Sequence, residues 1–290
     1  TNRENPNGYN RRGGLHLQQE QYKEAEADFN KAIECDSAYL LSYFNRALVY
    51  NATNRPMQAL ADFDKSIECD STYIPSYFNR ALVYSTINRP VQAIEDFSRV
   101  LALDSTSSLT YFNRAILRNQ IGDYNNALAD YDKVAFYSPN NVLLYYNRAA
   151  LYRQLGDYYA AINDYTRAIE LYPDFANAYL GRSALRYMLN DMQGSRSDKE
   201  TADKKIAEYR SKLTDSSFSV YADTSKRFNQ LLSFDASMGG SEGMQRMTAR
   251  SSNIALLPMF KFSMVRPDTV PVRTVYFVPR VEQFRTEVAD

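Results

Sequence analysis

The chain holds one histidine, His16, and two cysteines, Cys35 and Cys69. Two thiols 34 residues apart and a single imidazole do not make the short ligand spacing of a zinc site, so no metal or other cofactor is expected. Gly239-Gly240-Ser241-Glu242-Gly243 lacks the lysine and the strand–helix context of a phosphate-binding loop. Serine, histidine and aspartate are all present but nothing groups them, and no nucleophilic triad can be drawn. The reading is of a protein that is not an enzyme. Three ladders of polar residues do recur at fixed spacing. Arg12, Arg46, Arg80, Arg114, Arg148 and Arg182 form one, and Asp28, Asp62, Asp96, Asp130, Asp164 and Asp198 form another. Arginine offers a planar fork that lysine lacks. The paired ladders are therefore expected to form Arg–Asp bridges that fix the register of a repeat, with anion binding by the arginines as the alternative. The third ladder is Asn45, Asn79, Asn113 and Asn147, whose carboxamides could donate to and accept from the backbone of an extended peptide.

The elements that must position these ladders follow from the same period. Blocks of 34 residues begin at Pro6, Leu40, Ile74, Ser108, Val142 and Ala176. Self-similarity at a period of this size marks a stacked repeat protein. Within each block the fourth residue is tyrosine (Tyr9, Tyr43, Tyr77, Tyr111, Tyr145, Tyr179) and the eighth is small (Gly13, Ala47, Ala81, Ala115, Ala149, Ser183). With the eleventh position these lie at i, i+4, i+7, which defines a first helix. A second helix follows from Ala25, Ala59, Ala93, Ala127 and Ala161, each four residues before an aromatic: Phe29, Phe63, Phe97, Tyr131 and Tyr165. Small residues facing large ones let two antiparallel helices interdigitate. Asn54, Asn88, Gly122 and Gly156 supply the left-handed residue that ends a first helix. Pro56 and Pro90 fit the first turn of the second. Cys35 and Cys69 are expected to be small buried hydrophobes rather than a disulfide. Equivalent atoms of stacked helices lie ~10 Å apart, whereas a disulfide needs Cα atoms within about 7 Å.

This pattern of small and aromatic positions over residues 6–203 resembles the tetratricopeptide repeat family. The family's fourth-position tryptophan is tyrosine here and its seventh-position leucine is arginine. The resemblance implies an all-α fold: a right-handed superhelical solenoid of six helix pairs over residues 6–213, closed by a capping helix, with first helices lining a concave groove. It also implies that the sixth position faces that groove. The asparagine column then resembles the asparagine ladder in the superhelix of O-GlcNAc transferase. Phe44, Phe78, Phe112 and Tyr146 at the fifth position, and Leu48, Leu82 and Ile116 at the ninth, would line the groove beside it. The implied role is a scaffold or adaptor that takes an extended peptide or a helix of a partner protein. The carboxylate clamp of cochaperones of this family is missing, since only its sixth-position asparagine is kept.

Residues 214–290 lose the period. A Ser-, Gly- and Met-rich stretch leads to two strands predicted at Ile254–Val265 and Val272–Val281, with Pro267-Asp268-Thr269 as the turn. A lone hairpin is marginal in water, so self-assembly into a homo-oligomer through these strands is the alternative function. Repeats followed by such a hairpin resemble those of bacterial cell-envelope proteins, which slightly favours the periplasm or envelope over the cytoplasm. Composition adds exclusions. Net charge is zero, which argues against a nucleic-acid partner. No apolar run is long enough to span a membrane. Starting at Thr1, the chain is expected to be a processed chain or a fragment.

Overall fold

The computed structural model describes residues 5–214, so the expected tail and its two strands lie outside the described residues. Every regular element among the described residues is an α-helix, and the helices come in antiparallel pairs as in a tetratricopeptide solenoid. They fall into two units, each of three pairs.

The first unit contains α1 (Pro6–Gln18), α2 (Tyr22–Cys35), α3 (Leu40–Ala52), α4 (Pro56–Cys69), α5 (Ile74–Thr86) and α6 (Pro90–Leu103). Each odd-numbered helix pairs with the next, α2 stacks on α3, and α4 on α5. The core follows the pattern of small and aromatic positions. Phe29, Phe63 and Phe97 are fully buried against the alanines Ala25, Ala47, Ala59, Ala81 and Ala93, none of which reaches solvent. In the first pair, Gly13 takes the place of the eighth-position alanine, and a Cβ there would stand 2.7 Å from the Phe29 ring.

The second unit contains α7 (Ser108–Gln120), α8 (Tyr124–Tyr137), α9 (Val142–Leu155), α10 (Tyr158–Leu171), α11 (Ala176–Met188) and α12 (Met192–Thr214). Its aromatics are Tyr131 and Tyr165, both buried. The sixth repeat also forms a pair. α12 packs on α11, with Ala202 fully buried and the Ser183 hydroxyl donating to the Ser195 carbonyl at 2.8 Å. The expected capping helix corresponds to α12, which pairs with α11 as the second helix of that repeat.

Each first helix ends in the same way. A residue of positive φ follows it: Glu20, Asn54, Asn88, Gly122, Gly156 and Asn190. The next N–H then reaches back to the helix, as in Arg55 N–H to the Tyr50 carbonyl and Arg89 N–H to that of Tyr84, both at 2.8 Å. That closure satisfies a carbonyl the helix end would otherwise orphan. Proline opens α1, α4 and α6 in their first turns. One expectation fails here. Cys35 and Cys69 are exposed free thiols, because each is the last residue of a second helix and turns outward as the chain leaves for the next repeat.

Candidate functional site

The arginine and aspartate ladders meet within each repeat, across the helix pair. In the first unit the Nε of Arg46 donates to Asp62 Oδ2 at 2.7 Å and its Nη2 to Oδ1 at 2.7 Å. Arg80 and Asp96 repeat this at 2.8 and 2.6 Å, and Arg12 and Asp28 at 2.7 and 2.5 Å. In the second unit Arg114–Asp130, Arg148–Asp164 and Arg182–Asp198 make the same bidentate pair. The aspartates are buried and each arginine lies over the tyrosine three residues before it, as Arg80 does over Tyr77 at 5.5 Å from the ring centroid.

The remaining fork of the arginine does a second job that the sequence pattern did not expose. It crosses to the preceding repeat: Arg46 Nη1 to Asn30 Oδ1 at 2.6 Å, Arg80 Nη1 to Asp64 Oδ1 at 2.5 Å, Arg148 Nη1 to Asp132 and Arg182 Nη1 to Thr166 Oγ1. The acceptor position holds asparagine, aspartate or threonine, so no single residue type marks it. The eleventh position also joins in where it is not tyrosine. Arg118 donates to Asp130 at 2.7 Å and Arg186 to Asp198 at 2.9 Å. His16 is half-buried, with Nε2 3.8 Å from Asp28 and Nδ1 hydrogen-bonded to Gln21 at 2.5 Å.

Electrostatics in the middle of the first unit follow from burial and pairing together. Burial opposes the Arg80 charge, but its two carboxylate partners outweigh it and the guanidinium is held charged more firmly than usual. Burial pushes the Asp96 carboxyl up, against two hydrogen bonds from Arg80, with Asp64 adding to the push. The surface beside this network dips into an open cleft of about 410 Å³ lined by Asp64, Glu68, Glu95 and Asp96. Arginine donors aimed at carboxylates, in a cleft edged by carboxylates, are poorly placed to take an external anion.

The expected groove residues are placed as follows. In the first unit Asn45 is 1% exposed, and its amide nitrogen donates to Asn10 Oδ1 at 3.0 Å. Its own Oδ1 is buried with no hydrogen-bond partner. Asn79 is buried and donates to the Pro75 carbonyl at 2.8 Å. Phe44 lies against Phe63 at 5.9 Å and edge-on to Tyr73 at 5.4 Å, and Phe78 edge-on to Phe97 at 5.5 Å. Leu48 and Leu82 are buried. In the second unit Asn113 and Asn147 are half-buried, and Asn113 donates to the Leu109 carbonyl at 2.9 Å. Phe112 packs on Tyr131, and Tyr146 on Tyr165 and Phe175. Ile116 is half-buried. The fifth-position aromatics therefore serve the core of their own repeats, and burial raises the Tyr146 phenol. Among the described residues there is no group of three or more histidine, cysteine or acidic side chains able to hold a metal, and no helix is long and apolar enough to cross a membrane.

Comparison with known proteins agrees with this geometry. Tetratricopeptide repeat family models match residues 6–39, 63–95 and 142–175, and the first and last of these begin where the blocks beginning at Pro6 and Val142 do. A tetratricopeptide repeat protein from Parabacteroides merdae superposes with a TM-score of 0.60 at 17% identity, over 84% of this chain and 97% of its own. YrrB, described as a tetratricopeptide protein with an unusual peptide-binding site, gives 0.56 at 21% identity over 61% and 91%. PilF of Pseudomonas aeruginosa gives 0.57 at 17% over 71% and 97%. Likeness at these identities is likeness of fold. No curated protein sequence matches the chain. The period, the paired helices with their small and aromatic core, and the three family matches lead to one statement: the chain is a tetratricopeptide repeat protein.

Proposed function

We propose that the protein is a non-enzymatic interaction scaffold whose first helices bind an extended segment of a partner protein through the asparagine column. The observation that carries this is the state of the carboxamides. The amino halves of Asn45, Asn79 and Asn113 are already committed, to Asn10, to Pro75 and to Leu109. Their carbonyl halves are what remains to offer, and the Asn45 oxygen is buried without a partner. Closed to solvent, that oxygen is out of a ligand's reach, and the half-buried members of the column carry the contact. Within each unit the free carbonyl halves would read backbone donors of an extended segment, and side-chain identity matters less. Asn113 and Asn147, half-buried, are the accessible end of the column in the second unit. The likeness in fold to YrrB, described as having a peptide-binding site, supports the reading. So does the fold likeness to PilF and to PilW, described as a type IV pilus biogenesis factor, for a place at the bacterial cell envelope.

Panning a random peptide library displayed on phage against the full chain tests the scaffold reading. Peptides enriched on the wild type should bind Asn79→Ala plus Asn113→Ala at least tenfold more weakly, about 1.4 kcal/mol, with helicity by circular dichroism unchanged. Equal binding by both proteins, or no enrichment at all, defeats the proposal.

A further inference from the structure

Apolar side chains left in solvent are concentrated where a first helix turns into its second. In the first unit Met57 and Val91 are 60% and 55% exposed, each the second residue of its helix. In the second unit Leu155 and Tyr159 are 43% and 73% exposed, with Ile121 at 46% one repeat earlier. Identical positions in successive repeats stack along one edge of a unit, so these residues make an apolar row rather than scattered points. Clustered exposure of this kind marks an interaction surface.

The charges along the corresponding edges of the two units differ. Over residues 52–59 and 86–93 the charged side chains are Arg55 and Arg89 alone, whereas the first repeat, over residues 18–25, carries Glu20, Lys23 and Glu24 and lies outside the row. Over residues 120–127, 154–161 and 188–195 they are Asp123, Asp157 and Asp191 alone. Some are partly occupied: Arg55 pairs with Glu26 at 2.6 Å, while Asp123 and Asp191 lie 3.8 and 3.6 Å from Arg118 and Arg186. Arg89 and Asp157 are exposed, Asp157 accepting from the Ala160 N–H at 3.0 Å. The stretch formed by the second and third repeats is therefore apolar and basic, and that of the fourth to sixth repeats apolar and acidic.

We propose that this edge is a self-association surface, in which the Met57–Arg89–Val91 edge of one copy docks on the Leu155–Asp157–Tyr159 edge of a second copy. The chain carries both halves of a complementary pair at the same repeat position, which is the argument for its own kind as the occupant. Apolar burial supplies the affinity, and the Arg89–Asp157 attraction sets orientation and association rate. This surface is independent of the asparagine column.

Sedimentation velocity on the full chain over a range of concentrations tests it. The wild type should self-associate, and less so as salt screens the rim charges. Arg89→Glu plus Val91→Glu should weaken association by about tenfold or more, and Leu155→Lys plus Tyr159→Lys should do the same. An equimolar mixture of the two variants should recover a one-to-one complex, since each retains the half the other lacks. All four side chains are exposed, and circular dichroism checks that the helices persist. Should the lysine variant lose helicity, Asp157→Asn removes the charge while keeping a capping acceptor, and should weaken association alone. A wild type that stays monomeric, variants that associate as the wild type does, or a mixture that does not reassemble overturns the proposal.

Discussion

Gly13 and Gly14 are neighbours on α1, and the structure gives them opposite consequences. Both carry the helix-interior cost of glycine, about 1 kcal/mol relative to alanine. At Gly14 an added Cβ meets nothing within 4 Å. At Gly13 it would meet Phe29 ring carbons at 2.7 and 2.9 Å, and that ring is fully buried in the core of the pair. Gly14→Ala should therefore raise stability by about 1 kcal/mol. Gly13→Ala should lower it by about 1–3 kcal/mol, because overpacking at a ring that cannot retreat outweighs the helix-propensity gain. Urea denaturation of the two variants checks the signs, and a shared sign would mean that the Phe29 ring yields. Sequence alone marks both glycines as helix weakeners. Only the packing separates the one that makes room from the one that does not.

At the scale of elements, the six closures of the first helices show what a pattern can and cannot give. Asn54, Asn88, Gly122 and Gly156 were legible because asparagine and glycine tolerate positive φ. Glu20 and Asn190 take the same conformation, at φ of 58° and 65°, and Glu20 does so with no residue-type signal. There the closure is dictated by the helix pair and not by local preference. The links between successive repeats were equally hidden. Arg55, at the start of α4, donates to Glu26 of α2 at 3.2 and 2.6 Å and stacks 4.4 Å over Tyr50. The hydrogen bond from Arg55 holds the Glu26 carboxyl below its ordinary 4.5, against the opposing effect of burial. A depressed carboxylate contributes stability that is fully present above its ordinary value and is lost as pH falls through the depressed one. Glu26→Gln should thus cost about 0.5 kcal/mol at neutral pH, the size of a partly exposed pair. The gap to the wild type should close as pH falls below the ordinary 4.5 and through the depressed value. Denaturation midpoints of both proteins across that range measure it, and a gap that does not vary with pH would assign the effect to packing.

Across the whole molecule, the fold was legible because a 34-residue repeat states its helix pair six times over, so weak local signals accumulate. The candidate site was less so. Phe44, Phe112, Leu48 and Leu82 sit at positions that resemble groove positions, yet they are buried, and residue type cannot separate an aromatic that fills a core from one that lines a surface. The ladder is the part where repetition and geometry meet, and it makes a statement about how the array holds together. In a repeat array each unit leans only on its neighbours, so the same lesion should have different reach at different places in the first unit. Asp28 pairs with Arg12, whose side chain is 55% exposed and can return to water when its partner is removed. Asp62 pairs with Arg46, whose side chain is 19% exposed and also ties back to Asn30. Asp28→Ala should cost about 1 kcal/mol, with faster amide exchange confined to α1 and α2. Asp62→Ala leaves a buried charge with a single neutral acceptor and should cost about 3 kcal/mol, with protection lost on both sides, in α1–α2 and α5–α6 as well as α3–α4. Native-state hydrogen exchange resolves the two patterns. Equal loss of protection across α1–α6 in both variants would show a single cooperative block, and the ladder would then be a stabiliser of the whole unit and not a clasp between neighbours.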